Sequence, residues 1–258
     1  MTELSVIVTV RNEEKHIKDL LESLSRQKED FELVVVDAES TDKTVEILKS
    51  YEKRLKMKII VKRCSRGEGR NIGVENSSGK IVIFTDGDVV VSDFWLSEMK
   101  RPFLEGYDFV AGKTIQVGKE KFKVLDRVGI YYNGIDLTYP SCNLAYRKDL
   151  FIKIGGFDPE FITAEDIDLN LRALMAGAKF FYNENAVVYH KTRSDVISFL
   201  KQAFWNGYGR KQLTRKHGNL WKSYSFKTMF RKDQINIYGI LRLSFGLIGY
   251  LYAKINIR

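Results

Sequence analysis

Short apolar runs and amphipathic helical patterns alternate through the first third of the chain. Ser5–Val10, Glu32–Asp37, Lys58–Val61 and Ile81–Thr85 each read as a buried strand, and Leu33–Val36 is apolar without a break. Between the first two, Ile17, Leu20, Leu21 and Leu24 recur at the three-and-four spacing of a helix face. Asn12 is placed to cap that helix, and Glu13 and Glu14 fall in its first turn, where the helix dipole favours acids. Asp42 opens a second helix to about Ser50, and Gly69–Asn76 forms a short third one. Strand and helix in this rhythm predict a parallel sheet covered by helices on both faces.

The middle is less regular. Ser92 caps a helix to about Arg101, where Pro102 bends or ends it. Tyr107–Thr114 and Asn143–Arg147 read as strands, and Asp149–Ile154 as a short helix stopped by Gly155 and Gly156. Thr163 is set to cap a helix over Ala164–Met175, ended by Gly177, and Phe180–Tyr182 and Ala186–His190 read as two short strands. After Ser194 the pattern is helical and basic, with Phe199, Phe204, Trp205 and Tyr208 among Lys201, Arg210, Lys211, Arg215 and Lys216. The last apolar stretch, Ile235–Ala253, holds one charge, Arg242, and is flanked by Arg231, Lys232 and Lys254. Its length approaches a membrane span. Arg242 and several polar or tyrosine positions oppose spanning, so the pattern predicts an interfacial helix on anionic lipid. Packing on the catalytic body, or a dimer contact, is the alternative.

Composition narrows the class. With 258 residues, 44% hydrophobic and 29% charged, the chain supports one sizeable α/β domain and excludes a disordered protein. The net charge of +9 is unevenly spread. From Lys191 onward there are 14 Lys/Arg and two Asp/Glu, a balance of +12, while the first 190 residues carry 28 basic and 31 acidic residues, a balance of −3. A near-neutral body with a basic tail points to an anionic partner for the tail: membrane lipid, nucleic acid or a phosphorylated acceptor. A solvated basic face is the bland alternative. Cys64 and Cys142 are far apart, without His or Cys at metal-ligand spacing, and the N-terminus lacks the length and basic start of a signal peptide. Both suit a reduced, cytoplasmic setting.

Ligands of parallel α/β sheets bind at the carboxyl ends of the strands. There the chain places Thr9 to Glu13, then Asp37, then Arg66 to Asn71, then Asp86-Gly87-Asp88. Three acidic points and two arginines at one crevice suggest a charged ligand. Asp86 and Asp88, delivered by an apolar strand and separated by a glycine that lets the chain turn, suit Mg²⁺ or Mn²⁺ held with substrate phosphates. A tight Asp-Gly turn is the structural alternative.

Taken in order, Ser5–Glu14, Glu32–Asp42, Arg66–Gly73 and Asp86–Asp88 resemble the large family 2 of inverting glycosyltransferases. A fifth match follows at Gly155-Gly156-Phe157-Asp158 and Thr163-Ala164-Glu165-Asp166. The resemblance implies a GT-A fold, a Rossmann-like mixed and mostly parallel α/β sheet flanked by helices. It covers residues 1–192 as catalytic domain, the nucleotide half about 1–90 and the acceptor half about 91–192. Residues 193–258 would form a helical basic extension that contacts membrane. It implies Thr9, Arg11, Glu13 and Asp37 around the nucleotide base, although Thr9 and Arg11 stand where many members have Pro and Tyr. Asp86 would lie near the ribose, Asp88 on the metal bridging the diphosphate, and His190 near that metal. Asp166 is the implied catalytic base. An acid in a first helical turn is held ionised by the dipole and can take the proton of an acceptor hydroxyl. Arg66 and Arg70 can screen the diphosphate, a surface position being the alternative, more so for Arg70 on its helix. For Glu165 a solvated helix terminus is favoured, and Asp168 is expected to turn away into solvent.

The implied activity is inverting sugar transfer from a UDP- or GDP-sugar, with Mg²⁺ or Mn²⁺. The acceptor would be a glycan or polyprenyl-linked, and the site peripheral at the cytoplasmic face of the membrane. A nucleotidyltransferase normally wants a glycine-rich loop after the first strand, and Thr9–Glu13 has no glycine. A nucleic-acid or lipid binding module accounts for the tail but leaves Asp37, Asp86, Asp88 and Asp166 unexplained, and no nucleic acid is expected.

Overall fold

The computed structural model describes residues 3–118, 128–191, 196–218 and 236–256. Ser194 and the flanking Arg231 and Lys232 lie outside them. An eight-stranded sheet forms the centre, built from Leu4–Val10 (β1), Phe31–Asp37 (β2), Met57–Val61 (β3), Ile81–Asp86 (β4), Val89–Val91 (β5), Phe109–Val117 (β6), Leu144–Arg147 (β9) and Phe180–Lys191 (β10). Tyr131–Tyr132 (β7) and Ile135–Asp136 (β8) make a separate hairpin. The order is β3-β2-β1-β4-β9-β6-β10-β5. Strands β3, β2, β1 and β4 are parallel, as β6 and β10 are, whereas β9 and β5 run antiparallel to their neighbours. The sheet is therefore mixed and mostly parallel, as expected.

The helices are Ile17–Leu24 (α1), Thr44–Tyr51 (α2), Arg66–Glu75 (α3), Trp95–Leu104 (α4), Lys148–Lys153 (α5), Glu165–Met175 (α6), Val196–His217 (α7) and Ile237–Asn256 (α8). Alternate residues of β1 serve two cores. Val6 and Val8 pack with Leu20, Leu21, Leu24 and Trp95, and Ile7 packs on the other face with Phe84, Phe109 and Phe157. Each fully buried leucine of α1 contributes roughly 2 kcal/mol. A third cluster joins α6 and α7, where Leu213 meets Phe161, Ile167 and Leu171.

Several local expectations are corrected. Asn12 does not cap α1, which starts five residues later behind His16. Asn12 instead has φ +56°, and its side chain accepts from Thr41 N at 2.8 Å, bridging the β1 and β2 loops. Thr163 does not cap α6. Ala164, left-handed at φ 63°, precedes the helix, and no side chain caps it. Pro102 lies inside α4, whose end comes two residues later at Leu104. The two short strands near 180 and 190 are one, β10, interrupted by an irregularity between Asn183 and Val187 where its register on β6 shifts. Strand β5 was not anticipated; three valines sit opposite β10 immediately after the Asp-Gly-Asp turn.

Candidate active site

The register of the parallel strands brings the chemistry to one edge. Thr9 lies opposite Asp86 across β1 and β4, and Val10 opposite Asp37 across β1 and β2. The loops after β1 and β2 are then laced into one wall. Asn12 N donates to Ser40 Oγ at 2.8 Å, Glu13 N to Thr44 Oγ1 at 2.8 Å, and Glu14 N to Asp42 Oδ2 at 3.1 Å. Asp37 is fully buried at the base of this wall, accepting from Ser40 N at 2.8 Å and Ser40 Oγ at 2.5 Å. Arg11 points outward and is exposed. Thr9 packs beneath α3, where a Cβ on Gly69 would come 2.5 Å from Thr9 Cγ2, so only glycine allows the helix this close. The buried Thr9 hydroxyl has no hydrogen-bond partner among the described residues.

Asp86, Asp88 and His190 offer ligand atoms within 4.8 Å of one another. Antiparallel pairing of β5 with β10 sets His190 opposite Val89, beside Asp88, and His190 Nε2 lies 3.3 Å from Asp88 Oδ1. His190 Nδ1 is 3.1 Å from Gln116 Oε1. A proton on Nδ1 donated to Gln116 leaves the Nε2 lone pair directed at Asp88, which is the tautomer a metal-ligating imidazole needs. Gly87 is required between the carboxylates, since a Cβ there would be 2.9 Å from Val10 Cγ1 and 3.1 Å from Glu13 Cγ. Burial and then the charges of Asp88 and Asp86 raise the Glu13 carboxyl to about 7, partly countered by His190. Negative charge is therefore concentrated here, and two carboxylates with one imidazole form a donor set that fits Mg²⁺ or Mn²⁺.

Arg70 is the largest departure from expectation. It is neither a surface arginine nor exposed towards a ligand. Its side chain is fully buried, with Nη2 2.8 Å from Asp86 Oδ1 and Nη1 2.9 Å from Glu165 Oε1. Burial opposes its charge, yet Asp86 and Glu165 outweigh that and hold the guanidinium firmly protonated. Burial likewise pushes Asp86 up, but Arg70 and the exposed Arg66 at the start of α3 bring it below the usual carboxylate range. Arg70 thus braces Asp86, at the end of β4, against the helix that carries Asp166.

Asp166 accepts from Ser141 N at 3.3 Å and from Ile167 N at 2.9 Å. Burial, then the adjacent Glu165, raises its carboxyl to about 6, while Arg70 pulls the other way. Glu165 is not a solvated helix terminus but the buried partner of Arg70. Asp168 is also buried rather than turned into solvent. It accepts from Arg172 Nη2 at 2.7 Å, Lys216 Nζ at 2.9 Å and His217 Nε2 at 2.6 Å, and these bonds overcome its burial and lower it to about 2. Sequence reading missed Gln116, the Ser141 amide and this Asp168 cluster. Only the run of glycines at 67, 69 and 73 hinted at the tight seat of α3.

The model of the glycosyl transferase family 2 matches residues 5–155. A dolichyl N-acetyl-alpha-D-glucosaminyl phosphate 3-beta-D-2,3-diacetamido-2,3-dideoxy-beta-D-glucuronosyltransferase of Methanococcus voltae is 26% identical over 93% of this chain and 83% of its own length. Among solved structures, S. aureus TarS 1-349 in complex with UDP-GlcNAc superposes with a TM-score of 0.64 at 21% identity, covering 96% of this chain and 81% of that one. The mannosyltransferase PcManGT from Pyrobaculum calidifontis, in complex with GDP-Man and Mn²⁺, gives 0.68 at 16% identity over 99% of this chain and 76% of that one.

Proposed function

The chain belongs to glycosyl transferase family 2, whose model spans more than half of it, and from that premise we propose that this enzyme transfers sugar, with inversion, from a nucleoside diphosphate donor to a lipid-linked acceptor. The observation that supports it most is the Asp86–Asp88–His190 cluster facing the crevice, tied through Arg70 to the helix that carries Asp166. Asp37 and the laced loops of residues 11–14 and 38–44 would offer a wall for the base, and the exposed Arg66 at the start of α3 would be available to the diphosphate. Asp86, Asp88 and His190 would hold Mg²⁺ or Mn²⁺, which when bound neutralises charge on the departing diphosphate.

In the displacement, the acceptor oxygen bonds to the anomeric carbon while the bond to the diphosphate breaks, the electron pair leaving with the phosphate oxygen. Asp166 takes the acceptor hydroxyl's proton. Backbone N–H groups of Ser141 and Ile167 orient that carboxylate. An acceptor that is already a phosphate anion would ask less of it. The Methanococcus voltae relative's name specifies a dolichyl-phosphate-linked sugar acceptor, and a polyprenyl-linked acceptor suits the basic tail of this chain. A cytoplasmic enzyme peripheral to the membrane follows from that reading. The catalytic part extends over residues 1–192 and the membrane-facing part over 193–258.

The test is transfer from UDP-, GDP- and dTDP-sugars with Mn²⁺ or Mg²⁺, with and without a lipid extract. Metal-dependent transfer stimulated by lipid and lost in Asp166→Ala supports the proposal. Donor turnover unaffected by chelator and by Asp88→Ala overturns it.

A further inference from the structure

Helix α8 is built inside out for a water-exposed helix. Against α7 it turns its small residues: Gly239, Gly249 and Ala253 are buried, Gly249 lies on the Phe204 carbonyl, and Gly207 of α7 lies on the Gly246 carbonyl. Such contacts bring two backbones together in the manner of helices that do not need a hydrophobic seam. Its large aliphatic side chains point the other way. Ile240, Leu243, Leu247, Ile248, Leu251 and Ile255 form one outward stripe, with exposures from 37% at Leu243 to 80% at Ile255. Together they present on the order of 600 Å² of hydrocarbon, at the upper end of what monomeric soluble proteins leave bare. A surface helix in water shows the opposite distribution.

Charge identifies what covers the stripe. Helices α7 and α8 carry seven Lys/Arg (Lys201, Arg210, Lys211, Arg215, Lys216, Arg242 and Lys254) and no Asp or Glu. A second copy of the chain docked through the same face would bring together two such helix pairs, each basic and free of acids. Anionic headgroups complement that charge, and acyl chains accept the stripe. No described helix is long and apolar enough to cross a membrane. We propose that the outward face of α8 docks in the plane of an anionic lipid surface. This rests on the reading of the enzyme as a transferase to lipid-linked acceptors.

The docked face is joined to the site. Leu213 of α7 is buried against α6, Gln212 Nε2 donates to Glu160 O at 2.7 Å, and Lys216 and His217 hold Asp168, two residues beyond Asp166. Membrane contact through α8 therefore fixes how Asp166 faces the bilayer.

The experiment is co-sedimentation of the full chain with vesicles of phosphatidylcholine alone, or of phosphatidylcholine with phosphatidylglycerol, at low and high salt. Wild type is expected to partition about ten-fold or more in favour of the anionic vesicles, with loss at high salt. The double variant Leu247→Glu, Leu251→Glu should lose about ten-fold or more of that binding even at low salt. Both substitutions are on the solvent side of α8, and circular dichroism with thermal shift by UDP- and GDP-sugars checks that the variant folds and binds donor as wild type does. Equal binding of the double variant, or no binding by wild type, overturns the proposal. So does concentration-dependent self-association abolished by the same substitutions, which would assign the face to a second copy. No vesicle binding by wild type with its donor shift intact overturns this proposal and leaves the transferase reading standing, whereas an absent donor shift in wild type counts against the transferase reading itself.

Discussion

Replacing Arg70 by methionine is the most informative single change. Its guanidinium is fully buried and makes two charge-assisted hydrogen bonds, to Asp86 and to Glu165. Methionine fills much of the volume but leaves Glu165, itself almost fully buried, and Asp86 without their cation. Removing one partner of a buried ion network costs about 3–5 kcal/mol. At about 2–4 °C per kcal/mol for a chain of this size, the melting temperature should fall by about 10 °C at pH 7.5. The deficit depends on pH in a definite direction. In the wild type Asp86 lies below its ordinary value, so its contribution is present above the unfolded carboxylate range and is lost as pH falls. In Arg70→Met the stranded carboxylates shift upward, so protonation relieves the penalty, and the two proteins should converge towards pH 5. Arg70→Lys retains one charge but reaches one carboxylate, and should recover about half of the loss. Kinetics provide the second readout. Arg70 draws the Asp166 carboxyl down, so its removal should move the acid limb of the pH–rate profile upward. Thermal unfolding across pH and initial transfer rates measure both. An unchanged melting temperature at pH 7.5, or an acid limb that stays in place, would refute the assignment of Arg70 as the brace between the two halves of the site.

Three further outcomes are expected. Wild-type transfer to a hydroxyl acceptor should rise with pH through about 6, the value to which burial lifts Asp166, and Asp166→Asn should lower kcat by about 10²–10⁴-fold with donor affinity retained, as read from steady-state kinetics and titration calorimetry. Asp168→Asn removes the charge that Arg172, Lys216 and His217 share. Because Asp168 is depressed to about 2, its contribution is complete above the unfolded carboxylate range and lost as pH falls towards 2. The variant should therefore lose about 2–3 kcal/mol at neutral pH by urea unfolding and expose α7 to limited proteolysis first. Gly69→Ala forces a methyl group to 2.5 Å from Thr9 Cγ2, which should cost about 1–3 kcal/mol in the same unfolding assay.

What the sequence disclosed follows from how local each feature is. Strands β1 to β4 are apolar runs that end in polar residues, so both their positions and the crevice at their ends are written in short segments. Asp86 and Asp88 sit at the end of such a run, and their placement follows. Asn12 and Thr163 looked like helix caps because capping is a local pattern, but Asn12 bonds to a loop 29 residues away and the left-handed Ala164 stands between Thr163 and its helix. Arg70 could not be placed because its partners are 16 and 95 residues distant. Nothing in the helix around it distinguishes a buried arginine from a solvated one. Asp168 was misjudged for the same reason, since two of its partners, Lys216 and His217, arrive from α7. Strand β5, three residues long, exists only because β10 is there to pair with it.

The central claim is that Asp86, Asp88 and His190 form the metal-dependent donor site while Asp166 acts separately on the acceptor. Titration calorimetry of UDP and GDP with Mn²⁺ or chelator present, in wild type, Asp88→Ala and Asp166→Asn, tests it most directly. The account predicts that one nucleotide binds only with metal, that Asp88→Ala abolishes this binding, and that Asp166→Asn keeps it while losing transfer. Equal nucleotide affinity in chelator, or loss of nucleotide binding in Asp166→Asn, would contradict it.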